Sequence, residues 1–388
     1  MIFAVKNPFS VLCLREKEGE KRGEILRGCK GRGAGAVKAD RARLNAYFQA
    51  GEKMAGIQDV ARLAGVGTGT VSRVINGSGY VSSKTRDRVE RAVAELSYTP
   101  NELARNLLQN RSRIIALIVP DLSYPFFAEL ACAVEQRLMV QGYKTMICNA
   151  VRQSTNEEEH LSMLDRNIVD GVLTATHSLK HEQYFRSHKP IVSFDMFYHE
   201  GEIPMVTVDH ERGGRLAAEE LLQAGCRRLL QFRDAEEAGR FSFMERHRAF
   251  EESVHSAGAK CRNVYLEWNE FREDYYAEIA EKALSEHPDV DGIFGTDGIV
   301  LHCMRAALMR GRKIPEELRL VAYDGTKALN TAYPSVTALV QPIEKLAEAG
   351  VKLLLQRIEG KKLRRDKIVL SLKLRRGMTT GHSGRRSG

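Results

Sequence analysis

The stretch Ile57–Asn76, Ile-Gln-Asp-Val-Ala-Arg-Leu-Ala-Gly-Val-Gly-Thr-Gly-Thr-Val-Ser-Arg-Val-Ile-Asn, constrains this chain more than any other. Ile57, Val60, Ala61 and Ala64 recur at the spacing of one buried helical face. Gly65 follows the last of them, where a left-handed cap costs glycine least. Val66 can plug the space before a second pattern in which Val71 and Val74 face inward. Thr68, Thr70, Ser72 and Arg73 point elsewhere. Two short helices joined by a glycine turn form either a helical hairpin inside a core or a helix-turn-helix, whose second helix enters the major groove of DNA. The polar residues crowding the side opposite the valines favour the second.

Charge placement agrees with that reading. The formal net charge is +9 over 388 residues. Residues 1–53 hold twelve Lys/Arg against six Asp/Glu, residues 54–112 eight against five, and the remainder balances to zero. A basic front end on a neutral body suits a polyanionic partner, although solvated tails share the pattern. The seven cysteines form no CxxC pair, which supports neither a disulfide framework nor a zinc ribbon. Reduced thiols in a cytoplasmic protein are expected. No apolar run reaches membrane-spanning length, and the opening Met1–Lys6, without a charged start or a sustained apolar core, is not read as a secretion signal.

Residues 1–53 show no periodicity and are read as a disordered basic extension or a start-site artefact, with Met54 just ahead of the first ordered pattern. The glycine cluster Gly28–Gly35 lacks the preceding strand and the closing GK[ST] of a phosphate loop. After the helix-turn-helix, Gly77–Ser82 is a loop and Lys84–Leu96 a third helix capped by Ser82 or Ser83, with Val89, Val93 and Leu96 inward. Tyr98-Thr99-Pro100 breaks it, and Asn101–Leu108 has room for two helical turns, marginal alone.

From Arg113 the texture changes to short apolar runs alternating with helical patterns. Strands are expected at Ile114–Val119, Lys144–Asn149, Gly171–Thr174, Ile191–Phe194 and Val206–Val208. Between them helices are expected at Phe126–Gln141, Asn156–Arg166 and 180–187. The rhythm then restarts and runs from Arg212 to Tyr323, and Val336–Val340, Ile343–Ile358 and Ile368–Leu372 complete it. Such alternation means parallel sheets. Two successive runs predict two doubly wound subdomains, with ligand bound beyond the carboxyl ends of the strands.

Residues 55–381 resemble a LacI/GalR-family transcriptional regulator. The resemblance rests on Ile57–Asn76, Val81-Ser82 with Thr85-Arg86, Tyr98–Asn101, Ala104-Arg105, Ile118–Asp121 with Pro125–Phe127, and Val169–Gly171. It continues in Thr296-Asp297, Gly311 with Pro315, Val321–Asp324, and Thr337 with Gln341–Ile343. It implies an α/β body like periplasmic binding proteins, built from two doubly wound subdomains, with an all-α helix-turn-helix head and a hinge helix. The expected boundaries are 54–100 for the head, 101–112 for the hinge and 113–388 for the body. Within the body, the first subdomain is expected at about 113–207 plus 341–358, and the second at about 208–340 plus 361–381.

The resemblance implies a homodimer on a pseudo-palindromic operator in double-stranded DNA, controlled by a small sugar or sugar derivative. It implies no cofactor, no metal, no membrane partner and no enzymatic activity. The expected role is repression of carbohydrate-utilisation genes. The alternatives are a sugar-binding protein and a catabolite-type regulator acting with a co-repressor. The DNA-facing residues it implies are Thr68, Gly69, Thr70, Ser72, Arg73, Asn76 and Tyr80 in the head. Asn101, Ala104 and Leu107 belong to the hinge, Leu107 either packing in a core or wedged into the minor groove. Arg73 can take a guanine edge bidentately. Gly67 and Gly69 depart from the family pattern, which has a serine and a base-reading side chain there.

For the ligand, Phe126, Phe127, Asp195, Arg246, Trp268 and Asp297 are the candidates, because hydroxyls need donors and acceptors while sugar C–H faces pack on rings. Phe126 and Phe127 can equally be core, and Asp297 can cap its helix. Arg246 sits in Arg-His-Arg-Ala-Phe, which resembles the family's Arg-x-x-Gly-Phe. His177, His181 and His188 fit no common metal-site spacing and are expected to be solvated.

Overall fold

The computed structural model describes residues 55–99, 111–150, 154–176, 184, 189–197, 203–234, 241–363 and 365–381. Residues 1–53, the hinge positions 101–110, and His177, His181 and His188 lie outside them. The chain divides into two compact units between Asn101 and Glu102.

The first unit is helical. α1 (Ile57–Ala64), α2 (Thr68–Ile75) and α3 (Ser83–Glu95) surround a small core of Val60, Ala61, Ala64, Val71, Val74, Val89 and Ala92. Val66, Val93 and Leu96 pack against it half-buried. Gly65 adopts the left-handed conformation at φ 63° and ψ 42°, and its N–H closes the last turn of α1 on Arg62. Ser82 caps α3 by accepting the Thr85 N–H.

The second unit contains two six-stranded sheets. The first has β1 (Ile114–Val119), β2 (Lys144–Asn149), β3 (Gly171–Thr174), β4 (Ile191–Phe194), β5 (Met205–Val208) and β11 (Lys367–Leu370) in the order β11-β5-β4-β3-β1-β2, all parallel. The second has β6 (Arg228–Asp234), β7 (Lys260–Leu266), β8 (Gly292–Thr296), β9 (Arg319–Asp324), β10 (Thr337–Val340) and β12 (Lys373–Arg375) in the order β12-β10-β9-β8-β6-β7. Only β12 runs antiparallel to its neighbour. The central strands are buried along their length, as sheets covered on both faces require.

Helices cover those faces: α4 (Pro125–Val140), α5 (Ser154–Asp165) and α10 (Ile343–Ile358) on the first sheet. On the second lie α6 (His210–Gln223), α7 (Met244–Ser256), α8 (Glu273–Glu286) and α9 (Asp297–Met309). The chain passes between the subdomains three times, from β5 to α6, from β10 to α10 and from β11 to β12. The third passage corrects one expectation. The sequence assigns 361–381 wholly to the second subdomain, but Lys367–Leu370 pairs with Met205–Val208 in the first sheet. Only the next strand joins the second. The expected strand Ile368–Leu372 overlaps β11 and runs on into the crossing, and the short strand β12 beyond it is not among the expected elements.

Among the described residues no helix is long and apolar enough to cross a membrane. The described cysteines are unpaired, and burial pushes the Cys148 thiol up to about 11. Such thiols are poor nucleophiles.

Candidate functional site

In the helical unit, α2 presents two different sides. Val71 and Val74 are buried, Thr68, Gly69, Arg73 and Asn76 are exposed, and Thr70 and Ser72 are half-buried. The Asn76 amide donates to the Ser72 hydroxyl at 3.2 Å, so the two order one another on that side. Tyr80, in the loop after α2, is 93% exposed, which leaves its ring free to meet a partner. Gly67 caps α2 without a side-chain hydrogen bond, and a Cβ at either Gly67 or Gly69 would meet open space. Nothing in the packing therefore demands glycine at these two positions. Asn101, Ala104 and Leu107 fall outside the described residues.

In the second unit, a cavity of about 120 Å³ opens where the carboxyl ends of the strands converge. Pro120 follows β1, Thr176 follows β3, Asp195 follows β4, and Asp234, Thr296 and Asp324 end β6, β8 and β9. Both sheets reverse strand order beside this point, β1 lying between β2 and β3 and β6 between β7 and β8. Asp195 and Asp324 hold positive φ, 62° and 114°, uncommon for residues other than glycine and concentrated at functional sites.

Arg246, the third residue of α7, is only 6% exposed. Its guanidinium lies 4.4 Å from the Tyr323 ring centroid and 5.5 Å from that of Phe243. Its Nε donates toward His247 Nε2 at 3.4 Å, His247 Nδ1 faces Gln231 Oε1 at 3.1 Å, and Gln231 donates to Asn263 at 2.9 Å. In this chain His247 donates from Nδ1 and accepts at Nε2, which requires the neutral ring. Burial, reinforced by Arg246 and Arg233, holds its pKa well below the ordinary value. The position of α7 itself depends on Gly214 in α6, where a Cβ would stand 2.0 Å from the Arg246 carbonyl oxygen.

Asp195 Oδ1 accepts from Thr207 at 2.6 Å and from Ser242 at 3.3 Å, and lies 3.0 Å from His210 Nε2. Burial alone would raise this carboxyl, but His210, Thr207 and Arg246 together outweigh it and hold it below its usual range. His210 Nδ1 in turn meets the Tyr323 hydroxyl at 2.9 Å. Asp195 therefore ties the first subdomain to His210 and Ser242 of the second. Tyr124 makes the reciprocal tie, donating to Asp324 at 2.7 Å, while Gln341 donates to the other oxygen of Asp324 at 2.9 Å.

Phe126, Phe127, Asp195, Arg246 and Trp268 all line the cavity. Trp268 stacks with Phe243 and lies tilted against Phe241, forming an aromatic wall. Phe127 packs edge-on against Phe126 and Phe271 opposite. Asp297 departs from expectation. It is 1% exposed and lies behind the lining, accepting from the Gly325 N–H and from the N–H and hydroxyl of Thr326. It holds the loop after β9 rather than facing a ligand or capping its own helix. Burial, and then the charge of Asp324, push its carboxyl up to about 8.

Sequence reasoning missed Tyr124, His210, Asp234, Tyr323, Asp324 and Gln341. Asp234 and Asp324 end strands, so the rule that singles out Asp195 applies to them as well. Nothing local marks Tyr124 or His210, which reach the site only through long-range contacts, and Gln341, although it opens the Gln341–Ile343 segment of the resemblance, reaches it through Asp324. Among the described residues no group of His, Cys, Asp and Glu is arranged to hold a metal.

Two family models match this chain: bacterial regulatory proteins of the lacI family over residues 56–101, and a periplasmic binding protein-like domain over residues 218–380. The ribose operon repressor of Halalkalibacterium halodurans is 36% identical, covering 80% of this chain and 92% of that protein. The sucrose operon repressor of Pediococcus pentosaceus is 36% identical over 83% of this chain and 98% of that protein. Among solved structures, a complex of the transcriptional regulator CelR with cellobiose superposes with a TM-score of 0.62 at 29% identity, over 84% of this chain and 99% of that one. A helix-turn-helix unit followed by two doubly wound subdomains around a polar, aromatic-walled cleft, matched by relatives along nearly their whole length, places this chain in the LacI family of bacterial regulatory proteins.

Proposed function

We propose that this chain is a cytoplasmic, homodimeric repressor of carbohydrate-utilisation genes, without enzymatic activity, whose operator binding is controlled by a sugar in the cleft. The observation that carries the reading is the pairing of an exposed polar face on α2 with a cleft that joins buried acceptors, a buried guanidinium and two aromatic walls. Thr68, Gly69, Thr70 and Arg73 would meet base edges, with Ser72, Asn76 and Tyr80 at the backbone. Asn101, Ala104 and Leu107 would serve the hinge at the minor groove. Phe126, Phe127, Asp195, Arg246 and Trp268 would hold the sugar. The names of the relatives, repressors of ribose and sucrose operons and a regulator crystallised with cellobiose, agree with an effector of this class.

Sugar binding would draw the subdomains together through Asp195 and Asp324 and alter how the two heads of a dimer meet the two half-sites. A gel shift on operator DNA across a salt series tests the DNA half, because release of counterions weakens binding steeply as salt rises. Arg246→Ala tests the other half. Operator binding should persist while the sugar no longer relieves it. A variant that loses operator binding but keeps its sugar would overturn the role given to Arg246.

A further inference from the structure

We propose that Asp170 is a positioning residue for operator binding. It clamps the point where the chain enters the body, and so fixes the direction from which the helix-turn-helix is tethered before DNA arrives. The inference rests on the DNA-binding reading above and assigns a residue outside both the α2 face and the cleft.

The covalent path from the helical unit reaches the body at Ser112 and Arg113, immediately ahead of β1. Both residues are half-buried, and one distant carboxylate holds them both. Asp170 Oδ1 accepts from the Ser112 N–H at 2.6 Å and from the Ser112 hydroxyl at 3.0 Å, while Oδ2 accepts from the Arg113 N–H at 3.0 Å. The Asp170 N–H donates back to the Ile114 carbonyl at 2.8 Å, and the Ser112 hydroxyl oxygen accepts from the Ile114 N–H at 3.2 Å. Arg113 stands at φ 57°, in the left-handed region. A residue other than glycine stays there only where its surroundings over-determine it. They do so here. Its carbonyl accepts from the Lys144 N–H at 2.9 Å, and its guanidinium lies 5.4 Å from the centroid of the Tyr143 ring.

Strand pairing alone does not call for this arrangement, because β1 is already bonded to β2 on one side and to β3 on the other. The clamp instead fixes the residues ahead of the strand, through bonds strengthened by the carboxylate charge. Its position links it to the cleft. β1 and β3 both begin at the clamp and run side by side, Ile115 against Gly171 through Ile118 against Thr174. They lead to Pro120 and Thr176 in the cleft lining. Six strand residues span about 20 Å, so the clamp and the cleft occupy opposite ends of the same strands. Both strands are buried and close-packed, which makes them one stiff piece. A shift of the first subdomain on sugar binding would therefore carry the entry point with it. Holding that point in advance also lowers the ordering cost of DNA association.

Asp170→Asn tests the role. The amide has nearly the same shape and keeps an acceptor for Ser112, but it sets an NH2 group against the Arg113 N–H. The DNA probe is a duplex selected from a random library by the wild-type chain. The sugar probe is whichever of ribose, sucrose and cellobiose most changes the fluorescence of Trp268, the single tryptophan, which lines the cleft. Operator binding should weaken about tenfold, the weight of one charge-assisted hydrogen bond, while sugar affinity without DNA stays within about twofold. The factor by which sugar relieves operator binding should shrink. Should none of the three sugars bind, the melting temperature of the second unit replaces sugar affinity as the measure of an intact body. Unchanged operator affinity overturns the proposal. So does an equal loss of operator and sugar affinity, which would make Asp170 a brace of the body alone. If Asp170→Asn does not fold, Ser112→Ala decides, since it removes the hydroxyl and leaves the carboxylate in place. It should weaken operator binding about twofold to threefold, and an unchanged affinity overturns the proposal. A wild-type chain that selects no duplex overturns the DNA-binding reading as well.

Discussion

Asp324, which lines the cleft, and Asp297, which lies behind it, show how much chemistry two neighbouring carboxyls can carry. Asp324 bridges Tyr124 and Gln341, and Asp297 holds the backbone at Gly325 and Thr326. Both are raised, by burial first, and Asp297 titrates at about 8. A carboxyl raised in the folded state binds a proton that the unfolded chain has already released, so stability falls as pH rises toward that value. His247 acts in the opposite sense, because its lowered pKa adds stability as pH rises through the ordinary histidine range. That gain is complete above about pH 7.5. The melting temperature of the second unit should therefore decline between about pH 7 and pH 8. Asp324→Asn should flatten the decline by removing the like charge that helps hold Asp297 up. Calorimetry at three pH values checks it, and a slope unchanged by the substitution would disprove the coupling. Residue chemistry of this kind was partly legible. Asp195 and Arg246 stand at a strand end and a helix start, whereas Asp297 looks the same in sequence and is turned away, because its neighbours Gly325 and Thr326 offer donors no sequence separation reveals.

At the scale of elements, α2 and α7 are positioned in contrasting ways. A Cβ at Gly69 would meet nothing, so the glycine there only loosens the helix. Gly69→Ala should stabilise the helical unit by up to about 1 kcal/mol, and Gly67→Ser by a few tenths of a kcal/mol. Hydrogen exchange of the α2 amides in the full chain measures both, and faster exchange in either variant would show a hidden clash. Gly214 is the reverse case. A methyl group there would press on the Arg246 carbonyl, so Gly214→Ala should cost about 2–3 kcal/mol as α7 is forced away from α6. Because Arg246 rides on α7, sugar affinity should fall with the melting temperature. A variant that melts lower but binds sugar normally would show that Arg246 does not depend on this contact. The period of each helix and most strands could be read in advance, since burial on one side leaves a repeating pattern. The assignment of Lys367–Leu370 to one sheet and Lys373–Arg375 to the other could not, because short edge strands carry no pattern that says which sheet they join.

For the whole molecule, the basic front end and the neutral remainder are consistent with two binding activities in one chain. If sugar and operator compete through a shared equilibrium, each must weaken the other by the same factor. Titrating sugar into the protein alone and into its operator complex should give affinities whose ratio equals the loss of operator affinity caused by saturating sugar. Unequal ratios would mean that the two sites are not linked in one equilibrium. By itself the sequence determined that there is a helix-turn-helix, that two βαβ series follow, and that ligands belong beyond the strand ends. These depend on local periodicity and chain order, which each segment carries in its own residues. Only the tertiary structure decided which side chains meet in the cleft. Tyr124 and Asp324 are two hundred residues apart, as are the groups around His210 in lesser degree, and their contact exists only because three chain crossings fold one sheet's strand ends against the other's.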